Sequence, residues 1–156
     1  MSVADRLAAL GLTLPKPAAP VANYVGAVRT GALVFVSGQL PLGLDGKLGA
    51  AHVGKLKPGA ALDDAKAAAR LSAINVLAQV QALVGDLERI ARVVRLGGFF
   101  SVEGGHEALP AAMNGASDLM AEIFGDNGRH ARTTVGVAHL PLGAICEVEG
   151  LFEIVP

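Results

Sequence analysis

The sequence predicts one α+β domain in which helices pack on one face of a β-sheet. Its 156 residues fit a single domain. Two segments carry apolar residues at helical spacing, while several shorter runs are rich in β-branched residues. Their order along the chain, ββ(β)αβαββ, alternates too irregularly for a doubly wound parallel fold. With 52% apolar and 17% charged residues, the composition also excludes a disordered chain.

The N-terminal segment is predicted to be an arm on the main domain. Residues 2–11 can form a short helix that ends at Gly11, and the prolines that follow, the last at Pro20, keep the next stretch extended. We therefore assign residues 1–20 to an arm and residues 21–156 to the domain.

A hairpin and a long loop are predicted next. The β-rich runs 24–28 and 33–36 flank Gly31, which suits the turn of a hairpin. Residues 38–59 are rich in Gly, Lys and Pro and predict a long loop with room for a short strand. Loops of this length in compact domains are often functional.

Two helices are predicted further along the chain. In residues 62–84 apolar side chains recur every three or four positions, with acids at the start and Gly85 after the end. In the second helix Pro110 occupies the first turn, and Gly125 ends it.

Three strands complete the pattern. Residues 90–100 form the first, which Gly97-Gly98 is expected to bend. Residues 132–140 and 145–154 form the last two, joined by a short Pro-Leu-Gly loop. If these two pair as an antiparallel hairpin, Glu147 lies near Val137 and on the order of 16 Å from Arg132.

Charge, cysteine content and hydropathy disfavour several classes of partner. Lys and Arg total 13 against 14 acids, and this balance disfavours a nucleic-acid partner. A single cysteine, Cys146, allows no intramolecular disulfide, so we expect a reducing, cytoplasmic setting. No signal peptide is visible and no apolar run approaches about 18 residues, so we expect no membrane partner. No Cys/His cluster suggests a metal.

The apolar content is high for a chain with no Trp, one Tyr and five Phe. Monomers rarely expose large apolar patches. The composition therefore favours burial of part of the surface against further copies of the chain.

Arg132 and Glu147 are the strongest candidate site residues. Arg132 opens a strand of small and apolar residues, where a guanidinium needs an anion, either a ligand carboxylate or a structural salt-bridge partner. Glu147 and Glu149 share one face of the last strand, where such residues are usually solvated. If Arg132 and Glu147 share a site, the strand register must differ from a plain hairpin or the two residues must come from neighbouring chains.

Weaker candidates lie near strand ends and on the second helix. Ser37-Gly38-Gln39 offers a hydroxyl and open amides where a strand meets a loop, although such a sequence is usually just a turn. Tyr24, the one tyrosine, fits a core ring as well as a site residue. Asn114 lies on the second helix, where it can equally face solvent. The four histidines, His52, His106, His130 and His139, are not spaced for a metal and are interpreted as solvated or hydrogen-bonded.

Taken together, these residues resemble a known family. Residues 131–141 (ARTTVGVAHLP) followed by Glu147-Val148-Glu149 resemble the signature of the RidA/YjgF family, with Tyr24, Ser37-Gly38-Gln39 and Asn114 in matching order. The resemblance covers residues 21–155. It implies a chorismate-mutase-like mixed β-sheet with two helices on one face, a homotrimer, and ligand clefts between subunits.

The resemblance also implies an activity, the hydrolysis of reactive enamines and imines such as 2-aminoacrylate and 2-iminopropanoate to 2-keto acids and ammonia. Arg132 would grip the substrate carboxylate and Glu147 would orient water. The cleft wall would comprise Tyr24, Ser37, Gly38, Asn114 and Thr134, with no metal or organic cofactor.

Some positions depart from the family pattern. His130 stands where many members have proline, and Thr134 where cysteine is common. The Gly98–Leu109 segment and the N-terminal arm are longer than in compact members, which places the chain in a longer branch of the family. A non-catalytic trimer that binds a small carboxylate is the alternative function, whereas ribonuclease activity is disfavoured by the charge.

Overall fold

The computed structural model describes residues 1–105 and 108–155. Its regular elements, in chain order, are α1 (Val3–Ala9), β1 (Ala27–Thr30), β2 (Leu33–Gln39), α2 (Asp63–Val84), β3 (Ile90–Ser101), α3 (Leu109–Phe124), β4 (Ala131–Val137) and β5 (Cys146–Ile154). The predicted α+β class and order of elements are confirmed. Two positions of the Gly98–Leu109 segment, His106 and Glu107, lie outside the described residues.

The five strands form one mixed sheet in the order β1-β2-β5-β3-β4. All neighbouring strands are antiparallel except β3 and β4, which are parallel. The last two strands therefore do not pair as a hairpin, because β3 lies between them. After the edge strand β4, the chain returns to the middle of the sheet, where β5 pairs with β2 and β3.

Helices α2 and α3 pack together on one face of the sheet and bury its core. The helix-facing positions of the two central strands are apolar or small, as at Val93, Leu96, Val148 and Phe152, all with no exposed surface. Within α2 the buried stripe consists largely of alanine and valine. These small side chains let the helix lie close to both the sheet and α3.

Helix α2 is apolar along much of its length. By length and composition its 22 residues could cross a membrane, with a mean hydropathy of 1.3 over the most apolar window. In the fold, however, 61% of that window is buried. Its apolar character is that of a core helix packed between the sheet and α3.

The opposite face of the sheet is covered by no element among the described residues. It carries apolar side chains in partial contact with water, with Val28 51%, Phe35 47% and Val135 39% exposed. Such a face fits the burial against other copies that the composition predicts, although the oligomeric state stays a prediction.

Two local expectations differ from the structure. Tyr24 was predicted to begin the first strand, but it precedes β1, which starts at Ala27. Gly31 occupies the hairpin turn as predicted, with φ +58°. The irregular pairing of β3 lies between residues 90 and 95 rather than at Gly97-Gly98. The two glycines instead make room for neighbours, because a Cβ on Gly97 would meet Glu149 and one on Gly98 would meet Met113.

Residues 1–20, predicted to be an arm, make polar contacts with the rest of the chain. Ser2 and Asp5 form a capping box at the start of α1. The Glu88 carboxylate accepts a hydrogen bond of 2.5 Å from the Val3 amide. Further along, Gln79 Nε2 on α2 donates to the Ala18 carbonyl oxygen over 2.9 Å.

The crossing of α2 and α3 depends on Gly115. A Cβ at this position would collide with the Lys66 carbonyl oxygen of α2, which is backbone and cannot turn aside. We expect Gly115→Ala to lower the free energy of unfolding by roughly 1–3 kcal/mol, as measured by denaturant titration. Gly49→Ala is the matched control, since a Cβ there meets only the His52 ring at 4.0 Å. Equal stability of the two variants would contradict the close crossing.

Candidate functional site

Arg132 lies on β4 and its guanidinium reaches α3. Nη1 donates to Asn114 Oδ1 over 2.8 Å and to Ser117 Oγ over 3.1 Å. Nη2 donates to the Pro110 carbonyl oxygen over 2.9 Å. The structure thus brings the predicted residues Arg132 and Asn114 together.

The acceptors around Arg132 are neutral. No carboxylate of the described residues lies within 4.0 Å of its guanidinium, which disfavours the structural salt bridge as its role there. Three of its five N–H groups are used by the three acceptors. The other two, on Nε and Nη2, belong to adjacent nitrogens and have no acceptor among residues 1–105 and 108–155. Such a pair can form a bidentate fork on a carboxylate.

An open cavity and a buried hydroxyl adjoin this arginine. A cavity of about 300 Å³ is lined by polar groups that include Asn114, Ser117, His130 and Arg132. Thr134 lies two residues further along β4 and therefore on the same face. Its hydroxyl is buried and has no hydrogen-bond partner in the described part of the chain. Thr134 is not among the residues that line the cavity.

Ser117 and His130 were not singled out as site residues from the sequence. Ser117 Oγ lies 3.0 Å from His130 Nε2, and His130 Nδ1 lies 2.6 Å from the Gly128 carbonyl oxygen. Burial, with a smaller effect of the Arg132 charge, lowers the pKa of His130 below its ordinary 6.5. The imidazole is therefore hydrogen-bonded, as expected, and it is connected through Ser117 to Arg132. The spacing of Ser117 from Asn114, three residues along one helix face, was the signal available in the sequence.

A second cluster lies where β2 meets β5. One extra residue in β2 makes a bulge around Ser37-Gly38, since Val36 pairs with Gly150 but Gln39 pairs with Val148. Ser37 Oγ donates to the Val25 carbonyl oxygen over 2.7 Å, next to Tyr24, whose side chain is 48% exposed.

Gly38 and Glu147 are in close contact in this cluster. A Cβ on Gly38 would collide with the Glu147 carboxylate, so a glycine is required there. Burial raises the pKa of Glu147 above its ordinary 4.5, and the negative charge of Glu149 raises it further.

Glu149 has a different environment from Glu147, although both lie on the uncovered face as predicted. Its carboxylate is 3.6 Å from Arg95 Nη1, and Arg95 Nη2 donates to Thr133 Oγ1 over 3.1 Å. A cavity of about 290 Å³ adjoins this ion pair and includes Ser37 and Phe35 in its wall.

The two clusters are separate within one chain. Arg132 pairs with Leu96 on β3, while Glu147 pairs with Phe99 on the other side of the same strand. Two strand spacings and three residues place their Cα atoms about 14 Å apart. Moreover, Arg132 contacts α3 on the helix face, whereas Glu147 lies on the uncovered face. The strand register differs from that of a hairpin, but Arg132 and Glu147 still do not meet within one chain.

Comparison with known proteins decides the family. Residues 4–154 match the sequence family described as "YjgF/chorismate mutase-like, putative endoribonuclease". The chain belongs to the RidA/YjgF family. Protein TCP17 of Trypanosoma cruzi is 44% identical over 153 residues, which make up 97% of this chain and 94% of that protein.

Solved structures of RidA/YjgF relatives share the fold. A Shewanella oneidensis protein superimposes with a TM-score of 0.91 at 37% identity, covering 99% of this chain and all of that one. RidA from an Antarctic Psychrobacter gives a TM-score of 0.62 at 26% identity, covering 89% and 94%. Escherichia coli TdcF with bound serine gives 0.61 at 25% identity, covering 90% and 94%. The chorismate-mutase-like fold is confirmed, and the chain is more similar to the Shewanella protein than to RidA.

Metal ligands and reactive thiols are not features of either cluster. No three His, Cys, Asp or Glu side chains of the described residues lie close enough to hold a metal ion. Cys146 is a buried free cysteine, and burial raises the pKa of its thiol. The polar groups available for chemistry in the two clusters are therefore guanidinium groups, carboxylates, hydroxyls, an amide and the His130 imidazole.

The raised pKa of Glu147 predicts a pH-dependent effect on stability. A carboxyl that is harder to ionise in the folded state contributes stability below about pH 4.5, and this contribution is lost as the pH rises through the raised value. Glutamine is never charged. We expect Glu147→Gln to match the wild type in unfolding free energy at about pH 4 and to exceed it at about pH 8, measured by denaturant titration.

Glu153→Gln is the matched control, because this exposed carboxylate lies on the same face of β5 in contact with water. An advantage of Glu147→Gln that is the same at both pH values would contradict the burial argument.

Proposed function

We propose that this protein hydrolyses reactive enamines and imines of 2-amino acids, of the 2-aminoacrylate and 2-iminopropanoate type, to 2-keto acids and ammonia. The observation that carries the proposal is the hydrogen bonding of the Arg132 guanidinium. Three neutral acceptors fix its guanidinium beside a cavity, and two adjacent N–H donors remain for a carboxylate. Membership of the RidA/YjgF family supports the same substrate class.

The substrate carboxylate would bind to the Nε and Nη2 edge of Arg132. Asn114 and Ser117 already occupy Nη1, so the guanidinium is preorganised and loses little freedom on binding. The Thr134 hydroxyl would supply a further hydrogen bond. The serine bound to TdcF is likewise a small 2-amino acid with a carboxylate.

Glu147 would manage the proton of the attacking water. An enamine first takes a proton at its terminal carbon to become the iminium. The Glu147 carboxylate then accepts a proton from water as the oxygen bonds to the imine carbon, and the C=N electron pair moves to nitrogen. Proton transfer to that nitrogen and loss of the hydroxyl proton break the C–N bond, which releases ammonia and the 2-keto acid. The raised pKa of Glu147 makes it a stronger base than an ordinary carboxylate.

The complete site would form between subunits of a homotrimer. One chain holds Arg132 and Glu147 about 14 Å apart on opposite faces. The uncovered face with Val28, Phe35 and Val135 would pack against the neighbouring subunit. Each cleft would then take Arg132, Asn114 and Thr134 from one subunit, and Tyr24, Ser37, Gly38 and Glu147 from the other.

A coupled assay tests the activity. The purified protein is mixed with a PLP-dependent dehydratase and its amino acid, and keto-acid release is followed. We expect release above the spontaneous rate. Glu147→Gln should lower the protein-dependent rate by at least about tenfold, within the range typical of a lost general base, while pyruvate affinity stays equal or improves. Glu153→Gln is the control. Glu149→Gln is less suitable as a control, because it would also break the ion pair with Arg95.

Arg132→Ala tests ligand binding separately from the reaction. Loss of a charge-assisted fork of roughly 1.5–3 kcal/mol should weaken pyruvate binding by about 10- to 100-fold in calorimetry. Unchanged binding would make Arg132 structural. Pyruvate binding by a wild type that gives no release above the spontaneous rate would favour the alternative, a non-catalytic carboxylate-binding protein.

Complementation tests the shared cleft. Co-expression of Arg132→Ala chains with Glu147→Gln chains gives mixed trimers in which about one quarter of clefts carry both native residues. We expect corresponding recovery of activity in the mixed protein, whose mass by light scattering is three times that of the 15.8 kDa chain. A stable monomer would contradict the inter-subunit site. Mixed trimers that recover no activity, under conditions in which the wild type is active, would also contradict it.

A further inference from the structure

We infer that Ser117 and His130 are positioning residues that fix the carboxylate-binding edge of Arg132 through a hydrogen-bond relay ending at the Gly128 carbonyl. The inference rests on the proposed function. It concerns two residues that do not contact the reacting atoms and act through Arg132.

The Gly128 carbonyl oxygen determines every hydrogen position in the relay. A carbonyl only accepts, so the His130 nitrogen 2.6 Å from it, Nδ1, carries the hydrogen. Burial lowers the pKa of the imidazole, which favours its neutral form. Nε2 is therefore an acceptor and takes the Ser117 hydroxyl hydrogen over 3.0 Å.

Ser117 is then available to Arg132 only as an acceptor. Its single hydrogen is directed to His130, and its lone pairs face the guanidinium, whose Nη1 donates over 3.1 Å. With Asn114 Oδ1 as the second acceptor, both hydrogens of Nη1 are engaged. The relay thus removes Nη1 from competition for the ligand and leaves the Nε and Nη2 edge for the carboxylate.

The far end of the relay is rigid. Gly128 is buried in the short turn after α3, and its Cα lies against the Met120 carbonyl of that helix so closely that a Cβ would collide with it. Ser117 is on α3 itself, and Arg132 is on β4. The relay therefore joins the helix, the turn and the edge strand, and it holds the guanidinium against rotation.

Calorimetry with pyruvate on the full-length protein tests the relay. Loss of one neutral hydrogen bond is typically worth about 1 kcal/mol, so Ser117→Ala and His130→Ala should each weaken pyruvate binding by about fivefold. Ser117→Thr keeps the hydroxyl, and His130→Gln keeps an acceptor near the Nε2 position, so both should bind within about twofold of wild type. In the coupled assay the loss should fall on KM and leave kcat nearly unchanged.

The outcomes separate the relay from the proposed function. If wild type binds no pyruvate, the carboxylate site and the relay both fail. If wild type binds it and folded Ser117→Ala and His130→Ala bind equally well, the relay is overturned while the proposed function stands. Loss of binding without rescue by Ser117→Thr and His130→Gln also overturns it.

A measurement on the wild-type protein tests the relay even if the variants fail to fold. Long-range ¹H–¹⁵N NMR correlations report which imidazole nitrogen carries hydrogen. We expect the neutral Nδ1–H form of His130 at about pH 7. Observation of the Nε2–H form or of the imidazolium at that pH would overturn the relay.

Discussion

The position of β3 between β4 and β5 is the constraint on which the arrangement of the site depends. Parallel pairing places Arg132 beside Leu96, so its side chain joins the helix face and meets α3. Antiparallel pairing places Glu147 beside Phe99, with its side chain on the uncovered face. Because side chains alternate along every strand, this pairing determines which groups can meet in one chain and separates the guanidinium from the carboxylate.

The two arginines on neighbouring strands show how environment assigns roles. Arg95 lies 3.6 Å from Glu149 and forms an ion pair within the chain. Arg132 instead has only neutral acceptors among the described residues, which position it without neutralising its charge. A guanidinium that is held but not paired is suited to an anionic ligand, whereas a paired one mainly stabilises the sheet. The proposed carboxylate site follows from this difference.

Sequence reasoning was most successful where the signals are local. The long helix with its acidic start and Gly85, the second helix with Pro110 and Gly125, and the hairpin around Gly31 are all confirmed. The partners of the last two strands could not be assigned from the sequence, because strand partners depend on contacts distant in sequence. Gly97-Gly98 proved to be a place of close packing instead of a bend.

By itself the sequence determined the α+β class, the elements, the shared face of Glu147 and Glu149, and the family to which Arg132 and Asn114 pointed. Periodicity and turn chemistry act over a few residues, so they can be deduced from the chain alone. Only the tertiary structure decided that Arg132 meets Ser117 and, through it, His130, and that Glu147 lies against Gly38 on the other face. These contacts join residues from different elements, and packing of the helices on a sheet with a non-sequential strand order creates them.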